Sequence, residues 1–210
     1  MSKITIIGDV HGKWPEYGAL LAKTPGRTIQ IGDMGAGFGL RKQKDIPGSH
    51  MNLWFRGNHD NPEECWKNEH YMGDWGYYPE DSLFFLAGGF SIDRAWRTPG
   101  VSWWAGEELS YAELQKAIDH YAAVKPRIVV SHEAPSEAAK YLLTVAMNNF
   151  RPEKLECSMS RTAEAMQRML DIYPPVKWIF GHYHVNKTFA WKGTEFTCVN
   201  ELSTYELETL

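Results

Sequence analysis

Seven side chains able to bind a metal ion, and one histidine able to move a proton, stand in five short phrases of this chain. The phrases are Asp9-Val10-His11, Gly32-Asp33, Arg56-Gly57-Asn58-His59-Asp60, Ser131-His132 and Gly181-His182-Tyr183-His184. Carboxylate, amide oxygen and imidazole nitrogen together suit hard and borderline divalent cations. Asp9 and His11 are two residues apart, as are His182 and His184, so in an extended backbone each pair would project from one face and clasp an ion. Seven donors are too many for one tetrahedral zinc. They suit two adjacent ions that share Asp33, each with open positions left for water and substrate. Such a pair, about 3.5–4 Å apart, makes hydroxide from water between the ions and stabilises a phosphoryl group under in-line attack. Beside the donors Asp9, His11, Asp33, Asn58, His132, His182 and His184, the imidazole of His59 can transfer a proton near neutral pH. The guanidinium of Arg56 can hold an oxyanion with paired N–H groups, and Gly57 is read as the tight turn between them.

Positioning these residues requires strands. Each phrase follows a strand-sized run: Ile4-Thr5-Ile6-Ile7, Thr28-Ile29-Gln30-Ile31, Leu53-Trp54-Phe55, Ile128-Val129-Val130 and Trp178-Ile179-Phe180. Nearly continuous apolar runs indicate strands buried on both faces, and in open α/β sheets chemistry gathers at their carboxyl ends, so all the donor sets should point to one edge. Leu83–Leu86 reads as a further buried strand. Helices are predicted from Pro15 to Lys23, from Asn61 to near Glu69, after the Ser110-Tyr111-Ala112-Glu113 capping box up to Pro126, from Ser136 to Met147, and from Thr162 to Ile172. Lys187–Trp191 and Glu195–Val199 flank Lys192-Gly193-Thr194, a hairpin turn.

With 210 residues the chain can bury one sizeable core, and a single domain over 1–210 is expected. A net charge of -4 provides no general attraction to nucleic acid or to anionic membrane. The three cysteines, Cys65, Cys157 and Cys198, are scattered and odd in number, which argues against a disulfide framework or zinc knuckle and fits a reducing, cytoplasmic setting. No apolar run approaches membrane-spanning length, and the strand-like Lys3–Ile7 leaves no room for a signal peptide. Five of the eight histidines fall in the strand-end phrases; His50, His70 and His120 have no such context.

In this order, Asp9-x-His11, Gly32-Asp33, Gly57-Asn58-His59-Asp60, Ser131-His132 and Gly181-His182-x-His184 resemble the calcineurin-like metallophosphoesterase superfamily, particularly its compact bacterial and bacteriophage members. The resemblance runs from Asp9 to His184. It implies an α/β fold, a four-layer αββα sandwich of two mixed β-sheets flanked by helices, with a dinuclear centre of manganese, iron or zinc. It further implies Asp9, His11, Asp33 and His184 around one ion, and Asp33, Asn58, His132 and His182 around the other. His59 would then stabilise phosphoryl oxygens or protonate the leaving group.

The phrase Gly32-Asp33-Met34-Gly35-Ala36-Gly37 departs from the Gly-Asp-x-x-Asp-Arg-Gly of the protein phosphatases and dinucleotide tetraphosphatases, and Asp60 stands where they carry glutamate. In that branch the missing aspartate orients the catalytic histidine. Asp60 is one substitute for it, the alternative being a bond to its own loop. Arg56 sits where that branch places a phosphate-binding arginine. Among the aromatic residues of 71–104, most rings should be core, with one or two free to stack on a substrate; Arg94, Arg97, Arg151 and Arg161 are further anion contacts to consider. The expected function is hydrolysis of a small phosphoester, a nucleotide among the options, by two divalent ions. The alternatives are a serine/threonine protein phosphatase and a non-catalytic interaction module on the same scaffold.

Overall fold

A computed structural model describes residues 3–146 and 160–209. Two sheets carry the chain. The first contains β1 (Lys3–Ile7), β2 (Arg27–Ile31), β3 (Asn52–Phe55) and β10 (Thr204–Glu208). The second contains β4 (Trp75–Tyr78), β5 (Leu83–Leu86), β6 (Ile128–Ser131), β7 (Lys177–Phe180), β8 (Lys187–Trp191) and β9 (Thr194–Cys198). Their orders are β10-β1-β2-β3 and β4-β5-β6-β7-β9-β8. β1, β2 and β3 are parallel, as are β5, β6, β7 and β9, whereas β10, β4 and β8 pair antiparallel at the margins. Both sheets are therefore mixed.

Alternation along the strands explains the continuous apolar runs. Ile4, Ile6, Ile29, Ile31 and Phe55 of the first sheet meet Leu83, Phe85, Ile128, Val130 and Ile179 of the second in one buried layer. The intervening residues are buried too, under helices. Ile7 and Trp54 pack with Tyr17 of α1 (Trp14–Leu21) and Cys65 of α2 (Pro62–Cys65). On the far side, Phe84, Val129, Trp178 and Phe196 lie beneath α3 (Tyr111–Val124), α4 (Ser136–Ala146) and α5 (Arg161–Ile172). The result is the four-layer sandwich that the motifs imply. The inner strands are buried on both faces because a second sheet covers one face and helices cover the other, whereas the marginal strands β4, β8 and β10 keep partly exposed residues.

Several boundaries differ from the sequence reading. α2 stops at Cys65 because Lys67 and Asn68 donate to carbonyls three residues back, and the Asn68 amide oxygen accepts from Trp54 Nε1 (3.0 Å) and His70 N (2.9 Å). The hairpin turn is the pair Lys192-Gly193, both at positive φ, so Thr194 already belongs to β9. Met147, Arg151 and Cys157 lie outside the described residues; Cys65 and Cys198 are buried free thiols. β10 has no counterpart in the sequence reading. Among the described residues no helix is long and apolar enough to cross a membrane.

The capping box forms as the sequence indicates. Ser110 Oγ accepts from Glu113 N, and Glu113 Oε2 accepts from Ser110 N at 3.0 Å. Ser110→Ala removes the cap of the helix whose Tyr121 packs on Phe84, and urea unfolding should show a loss of about 1 kcal/mol in stability. An unchanged unfolding midpoint would mean that tertiary packing alone holds α3.

Candidate metal centre

The strand ends of both sheets open on one cleft, and the loops that leave them are bonded to each other. Val10 N and His11 N both donate to Asp33 O (3.0 and 2.7 Å), Gly181 N donates to His132 O (3.0 Å), and His182 N reaches both Asp9 carboxylate oxygens at 3.2 Å. The donor pairs do not extend the strands, contrary to the simple two-residue spacing argument. His11, Asp33, His182 and His184 all have positive φ, between 51° and 67°. A left-handed residue bends the chain back sharply, and Asp and His tolerate it better than bulkier types. Turning, rather than alternation, brings each pair together.

Three overlapping donor groups result: Asp9, His11 and His184; His11, Asp33 and His59; Asp33, His132 and His182. His184 Nε2 lies 3.0 Å from Asp9 Oδ2 and 3.0 Å from His11 Nε2. On the other side His132 Nε2 lies 3.0 Å from Asn58 Oδ1, 3.3 Å from Asp33 Oδ1 and 3.2 Å from His182 Nδ1. Asp33 faces both sides, because its Oδ2 is 3.1 Å from His59 Nδ1 and 3.9 Å from His11 Nδ1. All seven donors expected from the sequence come together here. The donor set fits a pair of divalent cations: ring nitrogens and carboxylate oxygens converge at hydrogen-bond distance, where only protons or cations between them relieve the repulsion.

Protonation reflects that crowding. Burial would raise the Asp33 carboxyl, but His132 and His59 outweigh it and hold it well below the usual range. Burial would lower the His132 imidazole, yet Asp33 pushes it up to about 10. Burial and the neighbouring His132 force His182 well below its ordinary value, and burial lowers His11 against the pull of Asp33 and Asp9. His184 is raised, chiefly by its bond to Asp9. Raised and lowered imidazoles thus stand side by side around two buried carboxylates.

Asp60 does not orient His59. Its carboxylate accepts from Gly57 N (2.8 Å), Gly35 N (2.7 Å), Ala36 N (2.8 Å) and Met34 N (3.2 Å), so it holds two loops together, and burial with the nearby Asp33 pushes it up to about 6. His59 is instead held by its backbone N–H on Asp33 Oδ1 (2.7 Å), by Nδ1 beside His11 Nδ1 (2.9 Å), by the Phe38 ring at 5.2 Å, and by Arg97 Nη2 at Nε2.

Arg56 differs most from its expected role. It is 2% exposed, its Nε bonds Asp74 Oδ1 (2.6 Å), and its Nη1 bonds Gly106 O (3.0 Å) and Glu107 O (2.7 Å). Its guanidinium ties loops beneath the cleft instead of facing a phosphate. Arg97 lines the cleft in its place. Of the other arginines considered, Arg94 stacks on Phe90 (4.8 Å) and Arg161 bonds the carbonyls of Leu109 and Glu108. The cleft measures about 330 Å³, and Phe90, Ile92, Leu143 and Tyr183 supply apolar lining beside Arg97 and His59. Ser91 and Glu107, buried behind Asn58, carry no sequence motif; their role follows from contacts alone.

The pattern of the calcineurin-like phosphoesterase family matches residues 2–186. No curated protein matches the chain in sequence. Phosphopantetheinyl hydrolase from Mycobacterium tuberculosis superposes with a TM-score of 0.51 at 14% identity, over 95% of this chain and 89% of that one. A putative 5'-nucleotidase from Staphylococcus aureus gives 0.53 at 14% identity, over 100% of this chain and 51% of that one. At such identities the likeness is one of fold.

Gly57 serves the centre by lacking a side chain, not by adopting a turn conformation reserved for glycine. A Cβ there would overlap Asp33 Oδ1 and stand 2.6 Å from His132 Nε2. Gly57→Ala should therefore weaken divalent-metal uptake at least tenfold by titration calorimetry, while far-ultraviolet circular dichroism stays that of the wild type. Unchanged metal affinity would show that the two side chains have room to retreat.

Proposed function

The chain belongs to the calcineurin-like phosphoesterase family of metal-dependent hydrolases, and on that footing we propose that it cleaves small phosphoesters with two divalent ions. One observation carries this reading: the seven donors converge beside a cleft of small-molecule size that Asp33, Asn58, His59, His182 and His184 line together with apolar side chains. When bound, the two ions supply an activated water and neutralise charge that develops on the phosphoryl oxygens. Manganese, iron and zinc all suit this mixture of nitrogen and oxygen donors, and availability decides between them.

The protein's own groups divide the remaining work. Asp9, His11, Asp33 and His184 would hold one ion, and Asp33, Asn58, His132 and His182 would hold the other. His59 stands at the rim with Nδ1 against Asp33 and Nε2 against the Arg97 guanidinium, so once a substrate anion takes over that guanidinium a protonated Nε2 can hold a phosphoryl oxygen or give its proton to the departing oxygen. Arg97, fixed by Asp93 (2.7 Å) and Ser91 (3.0 Å), presents positive charge beside it. Phe90 and Tyr183 can pack against the organic part of the ester. A nucleotide or an aryl ester meets these demands. A folded phosphoprotein would need a wider opening and a second arginine at the phosphate, and Arg97 is the arginine that lines the cleft among the described residues.

Metal-stripped protein should be inactive and recover with manganese. Asp33→Asn should lose metal, whereas His59→Ala should keep it and turn over roughly 10²–10⁴-fold more slowly, as expected for a lost general acid. Equal loss of metal in both variants would make His59 a ligand, and full activity without metal would end the two-ion reading. A panel of kcat/KM values for aryl monoester, aryl diester, nucleotides and a phosphoserine peptide tests the substrate class. Nucleotide or aryl ester should lead; a phosphopeptide preferred tenfold, about 1.4 kcal/mol in transition-state binding, would put the protein-phosphatase reading ahead.

A further inference from the structure

Behind Asn58 lies a short chain of hydrogen bonds with a fixed direction. Glu107 Oε2 accepts from Ser91 Oγ at 2.5 Å, and Glu107 Oε1 accepts from Ser91 N at 3.1 Å. Ser91 Oγ in turn accepts from Asn58 Nδ2 and from Arg97 Nη1, both at 3.0 Å. Glu107, Ser91 and Asn58 are 3%, 1% and 3% exposed, so water is not at hand to substitute for any of these partners. A carboxylate only accepts, and a hydroxyl has one proton to give. Once that proton is committed to Glu107, Ser91 presents lone pairs alone to Asn58.

We propose that Glu107, acting through the Ser91 hydroxyl, sets the amide of Asn58 with its NH2 group inward and its Oδ1 toward the ions, making Asn58 a ligand instead of a donor. Glu107 and Ser91 are thus positioning residues for the ion held by Asn58, His132 and His182. The same hydroxyl aligns Arg97, so one buried carboxylate orients a metal ligand and the cationic wall of the cleft together. Arg56 completes the arrangement, because its Nη1 holds the Glu107 carbonyl at 2.7 Å and so fixes the loop from which the carboxylate projects. This inference rests on the two-ion reading.

Glu107→Gln tests the direction of the chain at constant shape. The new amide would keep an oxygen for Ser91 N but turn an NH2 toward Ser91 Oγ. The serine proton must then point elsewhere. Arg97 cannot accept it, so Asn58 would have to rotate and show its NH2 to the metal. Manganese per chain is counted by metal analysis at a free concentration where wild type holds two ions, and thermal melting is recorded alongside. Glu107→Gln should hold one ion, its affinity for the second having fallen 10–100-fold, the usual effect of losing an outer partner. Adding Asn58→Asp to that variant should restore the second ion, since a carboxylate offers oxygen on both sides. A packing defect would not be repaired that way. Two ions at wild-type affinity in Glu107→Gln, or no recovery in the double variant, would overturn the proposal. Wild-type protein that takes up fewer than two ions would instead remove the parent reading, and this one with it.

Discussion

Lone pairs crowded into a dry space set the terms for this structure. Ring nitrogens of His11, His132, His182 and His184 approach one another and the carboxylates of Asp9 and Asp33 at 3.0–3.3 Å where they are closest. Such proximity is unfavourable unless positive charge lies between the atoms, and the fold must hold the atoms there before that charge arrives. Four of these residues take left-handed backbone, at roughly 1–2 kcal/mol each. Hydrogen bonds between the loops offset the strain: the Asp33 carbonyl fastens the β1 loop, the His132 carbonyl fastens the β7 loop, and the Asp9 carboxylate catches the backbone of His182. Two stacked sheets, ending at the same level, supply a base stiff enough for this. Neither sheet alone carries all the donors.

The identity of the donors was legible in the sequence because metal binding restricts residue type, and because a strand buried on both faces leaves a run that can be recognised before each donor. The same logic found the buried strands, since Ile4, Ile6, Phe85 and Val130 belong to runs with no polar face; that these strands form two stacked sheets was implied by the family resemblance alone. Conformation at the strand ends was not legible. Alternation suggested extended Asp9–His11 and His182–His184 pairs, whereas positive φ at three of these four residues makes them turns. Glycine was similarly ambiguous at position 57, where close approach of Asp33 and His132, not backbone angle, excludes a side chain.

Arg56 and Arg97 show why contacts across the chain resist such reading. An arginine that opens a metal-binding phrase invites a phosphate role, and its local context is right for one. What decides the matter is Asp74 together with the carbonyls of Gly106 and Glu107, reached only after the chain has folded back. Buried beside these partners, the guanidinium gains more from a fixed carboxylate and two carbonyls than it could from a transient anion. Arg97 has no motif around it. Its place follows from Asp93 and Ser91, and Ser91 is held by Glu107, whose carbonyl Arg56 holds. Asp60 is a parallel case: four backbone N–H groups from two loops claim its carboxylate before His59 could.

β10 pairs with β1 from Lys3↔Glu208 to Ile7↔Thr204, and just beyond the pairing Leu202 N donates to Asp9 O (2.9 Å) and Gly8 N to Ser203 O (3.1 Å). This strand lies outside residues 2–186, which carry the family pattern. Contacts so distant in sequence form slowly, because a long loop must close before they stabilise anything. As the chain leaves the ribosome, Asp9 and His11 emerge before the segment after Cys198, and until that segment arrives β1 keeps an open edge and the Asp9 carbonyl lacks the Leu202 N–H. The first of the seven donors to be made is therefore fastened by a strand made after all the others.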